Sequence, residues 1–394
     1  MGENRNLHQI IMAGLYLHIP FCEHKCLYCD FYSIAPDGSR TDYEKLIGRF
    51  LSALNSEAIL RAGDPRFRGQ YDTVFFGGGT PSLLSPSSID EILRSLRGHY
   101  RISDNAEVTL ETNPGTVDPD KLRAFRKAGI NRLSVGIQSF HEDDLRFLTR
   151  IHSADQAREC VKSAAEAGFD NISIDLIFAL PGQTRERWES NLEQALELRP
   201  RHLSCYSLIV EPTTPLARLV QTKQVTPLSP EADNELYQFT IDFLKRHGFE
   251  QYEVSNFALP GYRSRHNANY WNHTNYLGLG PSAHSFWSGK RWWNIANVNG
   301  YIDRLERSKF PVAGEELLSA DQLRDEEIFL ALRSDGLDVA GFSRRHDLDL
   351  AKEHRPLMDE LVSARLAAFD GRMLRLTAKG YAVCDEICSA FLQR

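Results

Sequence analysis

The sequence predicts an α/β protein built on a parallel sheet, with a mostly helical appendage at its C-terminal end. Short β-rich apolar runs alternate with helical stretches from residue 14 to about 210, and from about Asp321 the composition turns compact and helical. The candidate strands are Leu15–Ile19, Thr73–Phe76, Glu107–Glu111, Arg132–Ile137, Ile172–Phe178 and Leu203–Val210. Between them Asp42–Arg61, Ser88–Tyr100, Asp118–Ala128, Ala154–Ala167 and Thr184–Leu198 carry helical patterning. Asp118 and Ser153 are suited to cap helix N-termini, and Gly129 and Gly168 to end them. Six consecutive βα units imply parallel strands joined by right-handed crossovers. Such a count does not by itself separate an open doubly wound sheet from a partial barrel.

Further on, a helix at about Glu231–His247 and a strand near Gln251–Val254 finish this unit, and an aromatic-rich segment, 262–301, follows. The tail reads as helix, helix, small basic hairpin at Gly371–Leu376 and terminal helix, a winged-helix-like order. The domains expected are therefore 14–255, a connecting segment 256–315, and 316–394.

With 394 residues, 42% hydrophobic and 25% charged, the chain has the composition of an ordinary globular protein. A formal net charge of −7 argues against a dedicated nucleic-acid binder. Seven cysteines without framework spacing point to a reducing, cytoplasmic setting. The stretch MGENRNLHQIIMAG lacks a signal-peptide core, and no run approaches the roughly 20 apolar residues of a membrane span.

Cys22, Cys26 and Cys29 form a C-x3-C-x2-C triplet directly behind the first strand. Thiolates this close suit a soft metal centre, and a [4Fe–4S] cluster is the usual all-thiolate occupant. Three sulfurs leave the fourth iron without a cysteine, and an open position marks a reactive centre. A structural zinc site would pair two short ligand hairpins, and the other cysteines supply no second one. Cys384 and Cys388, one helical turn apart, read as an apolar face.

Strand two runs into Gly77-Gly78-Gly79-Thr80-Pro81, where the backbone can approach a ligand closely. No lysine follows, so this is not a Walker phosphate loop. Glu111 and Gln138 close strands three and four, and Asp175 lies within strand five. Polar groups on three successive strands suit one ligand rich in hydroxyl, amine and carboxylate groups. Arg150 has the planar fork that clamps a carboxylate.

Together these motifs resemble the radical S-adenosylmethionine (SAM) superfamily, and within it the oxygen-independent coproporphyrinogen III oxidase family. LYLHIPFC, GGGTPSLL, ETNPGT, GIQSF, LTRIH, DLIFALPGQ and HNANYW occur in that family's order, from about residue 14 to the terminal LTAKG. The likeness is greatest to the family's heme-chaperone branch. It implies a partial (β/α)6 barrel with a winged-helix-like C-terminal domain. Cys22, Cys26 and Cys29 would ligate the cluster, and Tyr16, Gly78, Gly79, Thr80, Glu111, Gln138, Arg150 and Asp175 would contact SAM.

Two departures from the oxidases matter. They carry a further cysteine where this chain has Phe31, and a longer extension than the 21 residues ahead of Cys22. In the chaperone branch H-N-x-x-Y-W, here His266, Asn267, Tyr270 and Trp271, is associated with heme. His273 and His284 are rival ligands nearby. The expected function is a heme chaperone that carries a [4Fe–4S] cluster and SAM and passes heme to acceptor proteins. The alternative is a catalytic coproporphyrinogen III oxidase served by an electron donor. Peripheral membrane association and a homodimer are both compatible with the sequence.

Overall fold

The computed structural model describes residues 12–392; the stretch through Ile11, most of the segment read as lacking a signal core, lies outside them. The barrel unit runs β1 (Met12–Ile19), α1 (Arg40–Ala62), β2 (Gln70–Gly78), α2 (Pro86–His99), β3 (Arg101–Thr112), α3 (Pro119–Ala128), β4 (Arg132–Gln138), α4 (Glu142–Phe147), α5 (Ala154–Glu166), β5 (Asn171–Phe178), α6 (Arg185–Glu197) and β6 (His202–Ser207). Next come α7 (Pro215–Gln221), α8 (Pro230–Arg246), β7 (Glu250–Gln251), β8 (Asn256–Ala258), α9 (Arg265–Trp271), β9 (Tyr276–Leu279), β10 (His284–Trp287), β11 (Lys290–Asn294), α10 (Val298–Glu306) and β12 (Val312–Leu317). The tail holds α11 (Ala320–Leu332), β13 (Leu337–Asp338), α12 (Val339–His346), α13 (Leu350–Glu353), α14 (Arg355–Ser363), β14 (Ala367–Phe369), β15 (Met373–Leu376), α15 (Ala378–Tyr381) and α16 (Cys384–Leu392).

Strands β1 to β6 pair in parallel and in sequence order, as the βα alternation predicts. Local chemistry sets the helix ends. The Asp118 carboxylate accepts from Lys121 N–H, and Ser153 and Gln156 form a reciprocal capping box. Gly129 ends α3 at φ 109°. Along each strand one set of residues packs under the helices, among them Leu15, Leu17, Val74, Phe76, Leu110, Val135 and Ile174. The alternate set faces the concave side and is largely polar: Thr73, Glu107, Thr109, Glu111, Arg132, Ser134, Ser173, Asp175, His202 and Ser204.

The sheet is larger than the sequence indicated. It has twelve strands in the order β12-β11-β10-β9-β1-β2-β3-β4-β5-β6-β8-β7. The aromatic-rich segment, expected only as a connection, supplies α9 and three of these strands, and β9 lies parallel to β1. Its strands are four or five residues long, too short for alternation to declare them. Two predicted strands are also shorter than expected. β6 stops at Ser207 rather than Val210, where Leu208 N–H bonds back to the Phe178 carbonyl. β7 stops at Gln251 rather than Val254, because the chain reverses and Tyr252 N–H reaches the Asn256 carbonyl.

The tail has its own core, centred on Phe342, Leu350, Leu361, Leu374 and Phe391. Its three-stranded sheet, in the order β13-β15-β14, is built from a helix, a strand, three helices and a hairpin in turn, the expected winged-helix-like layout. Cys384 and Cys388 are buried in that core as free thiols. Among the described residues no helix is long and apolar enough to cross a membrane.

A buried polar knot ties α1 to the β9–β11 extension. The fully buried Glu57 carboxylate accepts from Gly280 N–H (2.9 Å), Asn294 Nδ2 (2.8 Å) and Tyr301 Oη (2.7 Å), with Arg61 at 3.4 Å. Arg61 also stacks on Trp292 and Phe310. Truncating one member leaves the others buried without partners. Glu57→Ala should therefore lower the unfolding free energy by about 3–5 kcal/mol in denaturant titrations. A loss under about 1 kcal/mol would show that the knot is not a tie.

Candidate functional site

The concave face divides into a floor and a mouth. Helix α9 closes the floor. Ser264 caps its first turn, and the Glu107 carboxylate on β3 accepts from the backbone N–H groups of Arg265 (3.1 Å) and His266 (3.0 Å). His266 is 1% exposed, stacks on Phe75, and has Nδ1 2.8 Å from Thr73 Oγ1 and Nε2 2.9 Å from Tyr270 Oη. Burial pushes its pKa down to about 3, so the ring is neutral. Both nitrogens are engaged inside the barrel, and the Cβ that a Gly14 substitution would add comes within 3.1 Å of the ring. An axial-ligand role for His266 therefore requires breaking two internal bonds.

Above the floor lies Tyr16, whose hydroxyl is 3.1 Å from His18 Nδ1. Tyr16 does not line the mouth. The remaining residues expected at SAM do: Gly78, Gly79, Thr80, Glu111, Gln138, Arg150 and Asp175 border one cavity of about 490 Å³, within the usual ligand-pocket range. The topology brings them together because β2 to β5 are adjacent and their C-terminal ends open on one side.

The turn after β2 needs its glycines. Gly78 sits at φ 110°, and a Cβ there would meet the His18 ring at 2.7 Å. A Cβ on Gly79 would strike the Phe21 carbonyl oxygen, also at 2.7 Å. This close packing seats the turn on the cysteine loop, where Thr80 Oγ1 donates to Cys22 Sγ at 3.5 Å.

Arg150 joins the same loop to β4. Its Nη2 donates to the Gly136 carbonyl (2.7 Å) and its Nη1 to Cys26 Sγ (3.5 Å). Gln138 sits at φ 70°, where β4 shifts register against β5. A left-handed residue at a strand irregularity re-aims the side chain, here to the mouth.

Three free thiols in one loop are the soft donor set that an iron–sulfur cluster takes. Among the described residues no group of three or more His, Cys, Asp or Glu side chains converges to hold one metal ion. The tight tetrahedron of a structural zinc is thus not built here. Burial raises the Cys22 thiol pKa and lifts that of Cys29 to about 11, so loading a soft metal must release protons. Arg150 opposes this at Cys22, and Thr80 donates to the Cys22 sulfur.

Sequence reasoning missed several lining residues: Tyr28, Asn113, Ser134 and Tyr206. Ser134 and Tyr206 follow the same alternation as Glu111 and Asp175, which was the available signal. Ser134 Oγ donates to both Asp175 oxygens at 3.1 and 3.0 Å. Phe31 is 69% exposed on the rim.

Burial, reinforced by nearby Asp175, raises the Glu111 pKa to about 8, and burial raises that of Asp175 as well. An acid raised on folding holds a proton that the unfolded chain has lost, so stability falls as pH climbs from 4.5 towards about 8. Glu111→Gln should raise the unfolding free energy at pH 8 by on the order of 2–4 kcal/mol, with little change below pH 4.5. Denaturant titrations of the metal-free chain at the two pH values check this; an equal change at both would refute it.

Comparison with known proteins places this geometry. Residues 16–195 match the Radical SAM superfamily and residues 318–383 the HemN C-terminal domain. The heme chaperone HemW of Bacillus subtilis is 34% identical over 386 residues, 97% of this chain and 99% of that protein. HemW of Escherichia coli is 38% identical over 300 residues, 76% and 74% of the two chains. The mitochondrial radical S-adenosyl methionine domain-containing protein 1 of Danio rerio is 32% identical, covering 97% and 87%. Among solved structures, coproporphyrinogen III oxidase HemN from Escherichia coli superposes with a TM-score of 0.82 at 26% identity, over 97% and 90% of the chains. On its sequence, its fold and its two matched regions, the chain belongs to the HemW branch of the HemN-like radical SAM proteins.

Proposed function

We propose that this protein is a heme chaperone that holds heme beside the His266–Trp271 segment, on its Tyr270 side, and passes it to acceptor proteins. The observation that carries the reading is the end-to-end likeness to a relative named a heme chaperone, 97% of this chain against 99% of that one. Phe31 supports it, standing exposed on the rim where the family resemblance expects a cysteine in the oxidases. Of the four motif residues, Tyr270 borders a cavity of about 460 Å³, and Asn267 and Trp271 line neither the mouth nor that cavity.

Cys22, Cys26 and Cys29 would hold a [4Fe–4S] cluster, and Gly78, Gly79, Thr80, Glu111, Gln138, Arg150 and Asp175 would hold SAM beside it. Tyr16 would support these contacts from the layer beneath. When bound, this pair supplies one-electron chemistry that the side chains cannot. The chain contributes the rest. Arg150 places a positive charge between the cysteine loop and β4, where it favours thiolates. Glu111 and Asp175 offer carboxyl groups for an amine and for hydroxyls, and the closed floor keeps bulk water from reaching them from below. Heme-accepting proteins and, for any turnover, an electron donor are the partners this reading requires.

The second reading, coproporphyrinogen III oxidase, is favoured by the superposition on HemN. Anaerobic incubation of iron- and sulfide-loaded protein with coproporphyrinogen III, SAM and a reductant separates the two. The chaperone reading expects no vinyl product together with a Soret band on heme titration; protoporphyrinogen formation would overturn it. Cys26→Ala should lose the cluster's broad visible absorption and its EPR signal after reduction. Retention of both would move the cluster elsewhere.

A further inference from the structure

A second cavity, of about 460 Å³, lies outside the barrel between the β9–β11 extension and helix α11. Five aromatic or apolar side chains, among them Tyr270, Tyr276 and Phe286, share its walls with His273, His284, Arg291 and Glu326. The size falls within the range of small-molecule pockets, and aromatic walls suit a flat macrocycle. Tyr270 is the partition between this cleft and the barrel floor: its hydroxyl meets His266, and its ring packs edge-on against Tyr276 at 4.6 Å.

We propose that His273, through Nδ1 in this cleft, is the axial ligand of heme iron, and that His266 positions Tyr270 from inside the barrel. The inference rests on the heme-binding reading above and names its site. Helix α9 ends at Trp271, and His273 follows at φ 54°, which turns the chain towards β9. Its ring stacks on Phe286 with centroids 4.4 Å apart and planes 13° from parallel, so its orientation is held.

His273 Nε2 lies 3.1 Å from Glu326 Oε2, and Arg291 holds the other Glu326 oxygen at 2.5 Å. The carboxylate accepts from Nε2–H, which leaves the lone pair on Nδ1. Among the described residues Nδ1 has no hydrogen-bond partner. A metal-ligating histidine characteristically donates its other N–H to a carboxylate, which fixes the tautomer and raises ligand basicity. His266 offers none of this, since both its nitrogens are spent within the barrel.

Two consequences follow. Glu326, Phe329 and Leu330 belong to α11, so the C-terminal domain supplies one wall of the cleft and the carboxylate behind the ligand. The cleft also opens to solvent at the exposed His284, so the macrocycle keeps an accessible edge, as transfer to another protein requires.

Ferric heme titrations of the full-length chain, followed by Soret absorption and low-temperature EPR, test the assignment. His273→Ala should lose the histidine-ligated signature and weaken affinity about 10-fold or more, with added imidazole restoring the signature. Glu326→Gln should weaken binding about 10-fold with the ligand type unchanged. His266→Gln should weaken binding yet keep the histidine signature, whereas His273→Met should convert it to a methionine type. Unaltered cluster absorption in each variant shows that it has folded. A wild-type Soret band untouched by His273→Ala, or a signature lost in His266→Gln and kept in His273→Ala, overturns this inference alone. No band in the wild type defeats the chaperone reading and the inference with it.

Discussion

The structure depends on the hydrogen bonds that close the barrel floor. A concave sheet face carrying Thr73, Glu107, Arg132, Ser173 and His202 cannot be left dry and unpaired, because each unmet polar group costs about 1–3 kcal/mol. Helix α9 meets much of that demand. Its first N–H groups satisfy Glu107, its His266 satisfies Thr73, and Ser264 N–H reaches Tyr252 Oη (3.3 Å), whose hydroxyl also lies 2.7 Å from His202 Nε2. Helix α9 thereby covers one end of the six parallel strands β1 to β6, and the mouth cavity lies at the other.

At that open end the charges are arranged in opposition. Glu111 and Asp175 sit on adjacent sides of the mouth, each raised by burial, while Arg150 stands by the cysteine loop. A Glu111 carboxyl that holds its proton costs less to bury than a bare carboxylate, and Asp175 is met by the Ser134 hydroxyl. The arrangement suits SAM, whose amine, carboxylate and ribose hydroxyls need both kinds of partner.

The C-terminal domain is more than an appendage. Val254 N–H bonds to the Arg333 carbonyl, Gln238 Nε2 to that of Ala378, and Tyr381 Oη to that of Ser334. The first two join the tail to the barrel unit and the third braces the tail itself, while Glu326 of α11 meets His273, just past α9, and Arg291 of β11, and a second cleft forms there. The same seven-residue helix thus seals one cavity and borders another, and its Tyr270 is the side chain common to both roles.

The cysteine spacing, the glycine turn, the βα alternation and the helix caps were legible in the sequence because each is a local rule. Three thiols within eight residues, or a serine three residues ahead of a glutamine, declare themselves without knowledge of the fold. Glu111, Gln138 and Asp175 were found because strand alternation puts polar residues among apolar ones. Tyr16 and His266, expected at ligands on the family resemblance and not on alternation, lie below the mouth, inside the barrel. The strands of the aromatic segment, and the pairing of His273 with Glu326 from 53 residues away, escaped the sequence reading altogether. Sequence alone determined which chemistry the chain carries, because spacing within one loop or strand is set by bond geometry. Tertiary structure alone decided which histidine is sealed and which is open, because burial depends on segments that meet only when the sheet curls.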